Sequence, residues 1–123
     1  MVYTAPKLAG NFVLFEVHEI MSRDEYTLKQ DAAEYKVGTL VISEYATGAK
    51  TGKYVRATQT LVDAEDDADY AVVFDTVDAA AGDTKGAVFR QFGAIKGANL
   101  VLDASLTVAE AKALLAKQNI KVL

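Results

Sequence analysis

The segment that decides the fold is VGTLVI at residues 37–42, which is followed after a loop by KYVRAT at residues 53–58. The first segment is rich in β-branched side chains and is interrupted by Gly38, and the second alternates with a period of two residues. The intervening residues 46–52 are rich in glycine, alanine and threonine, which is typical of a turn. The pattern therefore predicts a β-hairpin with a loose loop.

Further strands are predicted on both sides of this hairpin. Residues 12–20 read FVLFEVHEI and begin apolar on both faces, which is typical of a strand that is covered twice, in a sandwich or by a neighbouring subunit. A turn is expected at residues 22–24. The remaining predicted strands are residues 26–28, 70–74, 86–92 and 120–123.

Only one helix is predicted. Thr107 and Glu110 have the spacing of a capping box, and strong helix formers continue to Ala116. Asn119 is expected to end the helix in a left-handed conformation. The apolar stripe of this helix is predicted to consist of Val108, Ala111, Leu114 and Leu115. The fold class is therefore mainly β (α+β), a barrel or a sandwich with one C-terminal helix.

Length and composition indicate one domain preceded by an arm. The chain has 123 residues, of which 51% are hydrophobic and 24% are charged, an ordinary balance for a globular protein. Residues 1–11 contain the single proline and few apolar anchors, so they are predicted to form a flexible N-terminal arm. Residues 12–123 are predicted to form a single β-rich domain.

Charge and residue usage exclude several classes of function. The net charge is −4 without a lysine or arginine cluster, so direct binding to nucleic acid is not expected. The chain has no cysteine, which removes disulfides and thiolate chemistry. We find neither a signal peptide nor an apolar run of about 20 residues, so a soluble protein without a membrane segment is expected.

Residues 63–69, DAEDDAD, form the densest charge cluster. They fail the pattern of a calcium-binding EF-hand, because glycine is missing at the sixth place and Phe74 stands where the bidentate glutamate belongs. A solvated loop is the preferred interpretation, and a weak divalent-ion site at a subunit contact remains open.

Two other patterns resemble a catalytic site and a phosphate-binding loop, but each lacks required residues. His18, the single histidine, shares a strand face with Glu16, but neither Ser22 nor Ser43 lies in a nucleophile motif, so a surface or interface histidine is expected. Residues 48–53 approach the phosphate-binding loop, yet their spacing is short by one residue and Tyr54 replaces serine or threonine. We therefore expect a hairpin loop, no catalytic residues, no bound metal and no cofactor.

Three blocks taken together resemble the lambda-type head decoration protein family of tailed phages. The first block is an arm, a strand and SRDEYTL at residues 22–28. The second is VGTLV at residues 37–41, followed by TGKY at residues 51–54. The third comprises YAVVFDTVD at residues 70–78, GAVFR at residues 86–90, Leu102 and the helix leading into LLAKQNIKV at residues 114–122.

The resemblance implies a tulip-like, trimeric subunit that binds the major capsid protein at three-fold and quasi-three-fold points of the expanded head. Such a protein is made in the host cytoplasm and is placed on the outer surface of the virion, where it stabilises the capsid against DNA pressure. The arm would bind the capsid, and the first strand would supply trimer contacts through Phe12, Leu14 and Phe15. The expected capsid-binding residues of the arm are Val2, Tyr3, Thr4, Ala5, Pro6, Lys7 and Leu8. The chain departs from the best-known members in a shorter arm with less proline and in a more regular C-terminal helix.

Other functions compete with this interpretation. A small phage structural protein of the tail or baseplate would assemble with tail proteins and not with filled heads. A glycan-binding β-domain would need aromatic side chains that converge on one exposed face. A small hydrolase or isomerase would use His18 and the acidic stretch, including Asp67, and substitution of both residues in an activity screen would test it.

Overall fold

The computed structural model describes residues 13–16, 23–65, 67–89 and 93–123. These residues form eight strands, two α-helices and one 3₁₀ turn. In chain order the elements are β1 (Val13–Glu16), β2 (Arg23–Leu28), β3 (Leu40–Ala46), β4 (Ala49–Arg56), α1 (Gln59–Ala64), β5 (Tyr70–Val73), β6 (Thr84–Phe89), β7 (Gly93–Ile95), the 3₁₀ turn (Gly97–Asn99), α2 (Val108–Ala116) and β8 (Ile120–Val122).

Five strands close into a barrel in the order β2-β4-β3-β5-β6. Neighbouring strands are antiparallel except at the seam between β2 and β4, which run parallel. This seam consists of two residue pairs, Thr27 with Lys53 and Leu28 with Tyr54. The mainly-β prediction is confirmed, and the architecture is a closed barrel.

Strand β5 lies at the centre of the fold, and all four of its residues are buried. Ala71 and Val73 belong to one core, and Tyr70 and Val72 belong to another, as the two-residue alternation of a strand requires. The first core fills the barrel. Its buried members are Leu28, Tyr35, Val41, Tyr54, Ala71, Val73, Val77, Ala79 and Val88.

The second core lies between the outside of the barrel and a smaller layer. That layer is a three-stranded sheet in the order β1-β7-β8 together with helix α2. Leu40, Ile42 and Phe89 from the barrel meet Ile95, Ala111, Leu115, Ile120 and Val122 from the small sheet and the helix. The hydrophobic core thus joins both sheets into one structure.

The predicted hairpin is confirmed, although its boundaries differ. Strand β3 begins at Leu40, because Val37 and Gly38 form a turn in which Gly38 has φ +92°. The loop is tight: Thr47 and Gly48 form a two-residue turn with φ +51° and +81°. Positive φ at both positions matches the twist of a hairpin. The prediction of a loose loop over residues 46–52 was therefore wrong.

The β2 region also differs from its prediction. A turn was predicted at residues 22–24, but Arg23 and Asp24 pair with Phe89 and Val88 of β6 as part of β2. The long register with β6 offsets the weak strand propensity of these charged residues. Ser22 of the predicted turn lies outside the described residues, as do residues 17–20 and 90–92 at the ends of predicted strands.

The C-terminal helix α2 matches its prediction closely. The Glu110 amide donates to the Thr107 hydroxyl, and the Glu110 carboxylate accepts from the Thr107 amide, both at 3.3 Å. Asn119 has φ +58°, as predicted for the residue that stops the helix. Ala111, Leu114 and Leu115 are buried, but Val108 is 47% exposed, so its assignment to the apolar stripe was wrong. Val108 is the first helical residue and faces Gly97 at the margin of the core.

Helix α1 was not predicted. It has six residues, none of them buried, so its sequence carries no apolar stripe. Thr58 caps it through its hydroxyl, which accepts from the Leu61 amide. The first part of the acidic stretch therefore belongs to a short helix.

Candidate functional site

The predicted capsid-binding arm, Val2–Leu8, and the predicted trimer contact Phe12 lie outside the described residues. Leu14 and Phe15 belong to β1, where only their backbone is described. Strand β1 is an edge strand, paired antiparallel with β7 on one side. The assignment of these residues to capsid and trimer contacts therefore stays a prediction.

The residues considered for catalysis are not brought together by the described part of the chain. His18 and Ser22 lie outside it. Ser43, on β3, is engaged in a structural pair with Asp69: each residue's amide donates to an oxygen of the other at 2.9 Å. These bonds hold the end of the acidic stretch against the barrel.

The acidic stretch faces solvent only in part, because Glu65 and Asp69 are half-buried. Asp63 and Asp67 are exposed, and Asp66 lies outside the described residues. Asp69 forms an ion pair with Lys50 at 2.9 Å. Within residues 13–16, 23–65, 67–89 and 93–123, no three histidine or acidic side chains cluster as a metal ion would require.

Ion pairs on the barrel surface connect its loops to its strands. The pairs among described residues are Lys29–Glu44 at 2.5 Å, Lys50–Asp69 at 2.9 Å, Lys53–Asp83 at 2.6 Å and Arg56–Asp31 at 3.2 Å. The hydrogen bond from Lys29 lowers the pKa of Glu44. The hydrogen bond between Lys53 and Asp83 raises the pKa of the ammonium and lowers the pKa of the carboxyl.

Arg56 and Tyr35 close one end of the barrel. The Tyr35 ring is buried in the barrel core, and the Arg56 guanidinium lies 4.9 Å from its centroid. The Tyr35 hydroxyl donates to the carbonyl of Lys29 at 2.7 Å, and burial raises the pKa of this phenol. The contacts order the loop between β2 and β3, so their role is structural.

A groove of about 490 Å³ lies between strand β3 and helix α1. Ile42, Val55 and Leu61 give it apolar walls, and Lys29 and Glu44 supply charge. The buried hydroxyl of Tyr45 has no hydrogen-bond partner among the described residues. No sequence pattern predicts this groove, because its walls come from three separate elements.

The described surface exposes large hydrophobic side chains at three positions. They are Leu61 on α1, Val108 at the start of α2 and Leu123 after β8. Val108 and the Leu123 backbone both lie against Gly97, so two of the three positions adjoin the end of β8. We call the strand β8 with Val108, Lys112 and Leu123 the C-terminal edge.

Tyrosines do not form an exposed stacking platform in the part of the chain that the structure describes. Tyr35, Tyr54 and Tyr70 are buried, and Tyr26 packs edge-on against Tyr54 with ring centroids 5.1 Å apart. This arrangement does not favour the glycan-binding alternative, which needs rings converging on an exposed face. Neither described α-helix has the length and apolar character to cross a bilayer.

The fold is a small barrel filled by its own side chains and packed against a second sheet that has edge strands. The family model described as Bacteriophage lambda head decoration protein D matches residues 2–120. The chain therefore belongs to this head decoration protein family, as the resemblance of its sequence blocks predicted. Its role is capsid decoration, which makes it a phage capsid component and favours a structural protein over an enzyme.

No curated protein matches the chain. No solved structure matches it.

Proposed function

We propose that the protein binds as a trimer to the outside of an expanded phage head, at its three-fold and quasi-three-fold sites. There it links neighbouring copies of the major capsid protein and stabilises the shell against the pressure of packaged DNA. The observation that carries the proposal is the family match over residues 2–120, which includes the barrel, α2 and most of the small sheet. The binding needs neither a cofactor nor direct contact with DNA.

The sequence of the arm suits a capsid contact. An extended segment of ten residues reaches at most about 35 Å, enough to lie along a sheet edge of a neighbouring protein. One such arm binds weakly, because it loses conformational freedom on contact. Three arms on one trimer act together, and such linkage raises affinity by roughly 10²–10⁴.

Strand β1 supports the trimer in the proposal. Its sequence VLFE follows Phe12, so three large apolar residues, Phe12, Leu14 and Phe15, lie close together in the chain. One side of the β1 backbone pairs with β7, which places this segment at a margin of the small sheet. A margin rich in apolar residues is suited to contact between copies.

Imaging of undecorated expanded capsids mixed with the purified protein tests the proposed function. We expect new density at the three-fold and quasi-three-fold positions, with three copies at each. Density on tails or baseplates instead of heads would support the alternative role, and bare capsids at saturating protein would contradict the proposal.

Deletion of residues 1–10 tests the arm. Capsid binding should fall steeply, by about 10² or more, because three linked contacts disappear together. The melting temperature of the free protein should change little, because the deleted segment has few apolar side chains to bury. A matched control scrambles residues 2–7 and should bind better than the deletion, since backbone pairing does not depend on side-chain order. Saturation of capsids by the deletion variant at the parent's concentration would refute the arm's role.

A further inference from the structure

Strand β8, the last strand of the small sheet, has one backbone edge that is unpaired among the described residues. Strand β8 runs parallel to β7, and the Leu123 amide donates to the Ile95 carbonyl at 2.9 Å. The Leu123 carbonyl accepts from the Gly97 amide, also at 2.9 Å. Because successive residues of a strand direct their backbone groups to opposite sides, Ile120 and Val122 direct theirs away from β7. No described strand pairs with that side.

The free edge adjoins a cationic groove. A cavity of about 330 Å³ runs between the end of α2 and β8. Its lining contains two exposed lysines and no acidic residue: Lys112, Ala116, Asn119, Ile120, Lys121 and Val122. Ile120 and Val122 direct their side chains into the core, which leaves their outward backbone groups and the lysines to define the groove.

Exposed apolar surface lies at the end of the same strand. Val108 is 47% exposed and Leu123 is 63% exposed. A β-carbon built on Gly97 would meet side-chain atoms of Val122 and Val108 at 2.9 and 3.2 Å, so both valines lie next to Gly97. Unpaired backbone, positive charge and apolar side chains thus coincide at the C-terminal edge, as they do where an extended peptide adds to a sheet.

We propose that the C-terminal edge binds an extended, acidic segment of the capsid subunit as a fourth strand of the small sheet. The segment pairs with the outward amides and carbonyls of Ile120 and Val122. Its carboxylates meet Lys112 and Lys121. This inference rests on the proposed function and adds a second capsid contact, separate from the arm.

Charge distinguishes this occupant from segments of the chain itself. The arm, residues 1–11, contains Lys7 and no acidic residue, so an arm from a second copy would bring positive charge to two lysines. The acidic stretch at residues 63–69 begins within helix α1 and is fixed to β3 through Ser43, so it does not supply an extended strand. A lysine on an edge strand also discourages pairing with apolar strands. Lys121 therefore makes this edge selective for an acidic partner.

Hydrogen exchange resolved to single amides tests the pairing on decorated capsids. In the free protein the Val122 amide should exchange quickly, whereas the Leu123 amide, bonded to Ile95, should be protected. On the capsid the Val122 amide should become at least about tenfold slower, while the Leu123 amide serves as an internal reference. Unchanged exchange of Val122 on a fully decorated capsid would overturn the proposal.

Charge reversal tests the acidic chemistry of the partner. The double variant K112E/K121E should bind expanded capsids about tenfold more weakly and with a smaller dependence on salt. The control K36E/K85E changes two exposed lysines elsewhere and alters the net charge equally, so it should bind like the parent. Equal losses in the two double variants, or no loss in K112E/K121E, would overturn the edge contact.

The two proposals fail in distinguishable ways. Parent protein that leaves expanded capsids undecorated contradicts the proposed function itself. Parent protein that decorates them, with an unprotected Val122 amide, contradicts only the strand at the C-terminal edge. A carbodiimide cross-link from Lys112 or Lys121 to an aspartate or glutamate of the capsid subunit would support it directly.

Discussion

Gly38 illustrates how the backbone of one residue places a strand. Its φ of +92° belongs to the left-handed region, and a β-carbon at this position would overlap the carbonyl oxygen of Asn99. Its amide donates to the Val73 carbonyl at 2.9 Å, and its carbonyl accepts from the Val101 amide at 2.8 Å. Gly38 therefore binds the barrel to the segment after the 3₁₀ turn, and β3 starts two residues later.

Gly38→Ala should destabilise the protein by about 2 kcal/mol or more, because backbone strain and a steric overlap act together. Gly48→Ala is the matched control: φ is +81°, but a β-carbon there meets nothing within 4 Å. Strain alone should cost about 1 kcal/mol at that site. Urea denaturation of both variants measures the difference, and equal midpoints would show that the Asn99 contact is unimportant.

Glu44 connects stability to pH. Its side chain is 15% exposed, pairs with Lys29 and accepts from the Thr51 hydroxyl at 2.8 Å. Because the hydrogen bond from Lys29 lowers the pKa of Glu44 in the folded protein, ionisation of this carboxyl favours folding. The contribution is complete above the ordinary value of 4.5 and is lost as the pH falls through the lower folded value.

Glu44→Gln should lower the free energy of unfolding at pH 7 by about 0.5–1 kcal/mol, since the pair is partly exposed. The difference from the parent should shrink at an acidic pH below the lowered folded pKa of Glu44, where the parent loses the ionised carboxyl as well. Asp75→Asn, at an exposed carboxylate outside the ion pairs of the described residues, controls for the change in net charge. A loss for Glu44→Gln that is the same at both pH values would contradict the proposed linkage.

At the scale of elements, the two helices differ in how well each can be predicted from its sequence. Helix α2 has both a capping box and three buried residues, and each feature leaves a pattern in the sequence. Helix α1 has a capping threonine but no buried residue, so no apolar period distinguishes it from a loop. Burial is what makes a short helix predictable.

Thr107→Ala should lower stability by about 1 kcal/mol, because the Glu110 amide loses its acceptor. Thr107→Ser retains the hydroxyl and should lie close to the parent. Thermal unfolding followed by circular dichroism compares the three proteins. Identical melting temperatures for the parent and Thr107→Ala would show that the capping box does not stabilise α2.

The strands were predictable where one face is apolar and less so where it is not. Residues 70–73 were recognised because their apolar run serves two cores. The first half of β4, Ala49–Gly52, is fully exposed, so its pairing with β3 left no apolar alternation to detect. The start of β3 was predicted too early, at Val37 instead of Leu40. The turn at Gly38 depends on contacts with Asn99 and Val101, which are distant in the sequence. The candidate site was predicted as an arm and first strand, whereas the C-terminal edge depends on tertiary packing.

At the scale of the whole molecule, one hydrophobic core joins the barrel to the small sheet. Leu40 and Phe89 on the barrel and Ile95 and Ile120 on the small sheet belong to the same cluster. The edge strands β1 and β8 are therefore held in a fixed relation to the barrel. In the two proposals, contact between copies lies at the β1 margin of the small sheet and the second capsid contact lies at its β8 margin.

The proposed trimer is expected in the free protein or, if it is a monomer in solution, on the capsid. Light scattering of the free protein and subunit counting on decorated capsids measure the two states. Phe15→Asp should weaken association of copies, because it places a charge within the apolar segment around β1. Dimers in both settings would contradict the proposal.

The parallel seam of the barrel has a kinetic consequence. Two residue pairs join β2 to β4, whereas β2 and β6 share six. Thr27 and Lys53 are 26 positions apart, so closing this seam requires a large loop and gains few hydrogen bonds in return. The β3–β4 hairpin forms from neighbouring residues and can fold early. We therefore expect the seam between β2 and β4 to close late during folding and to open first during unfolding.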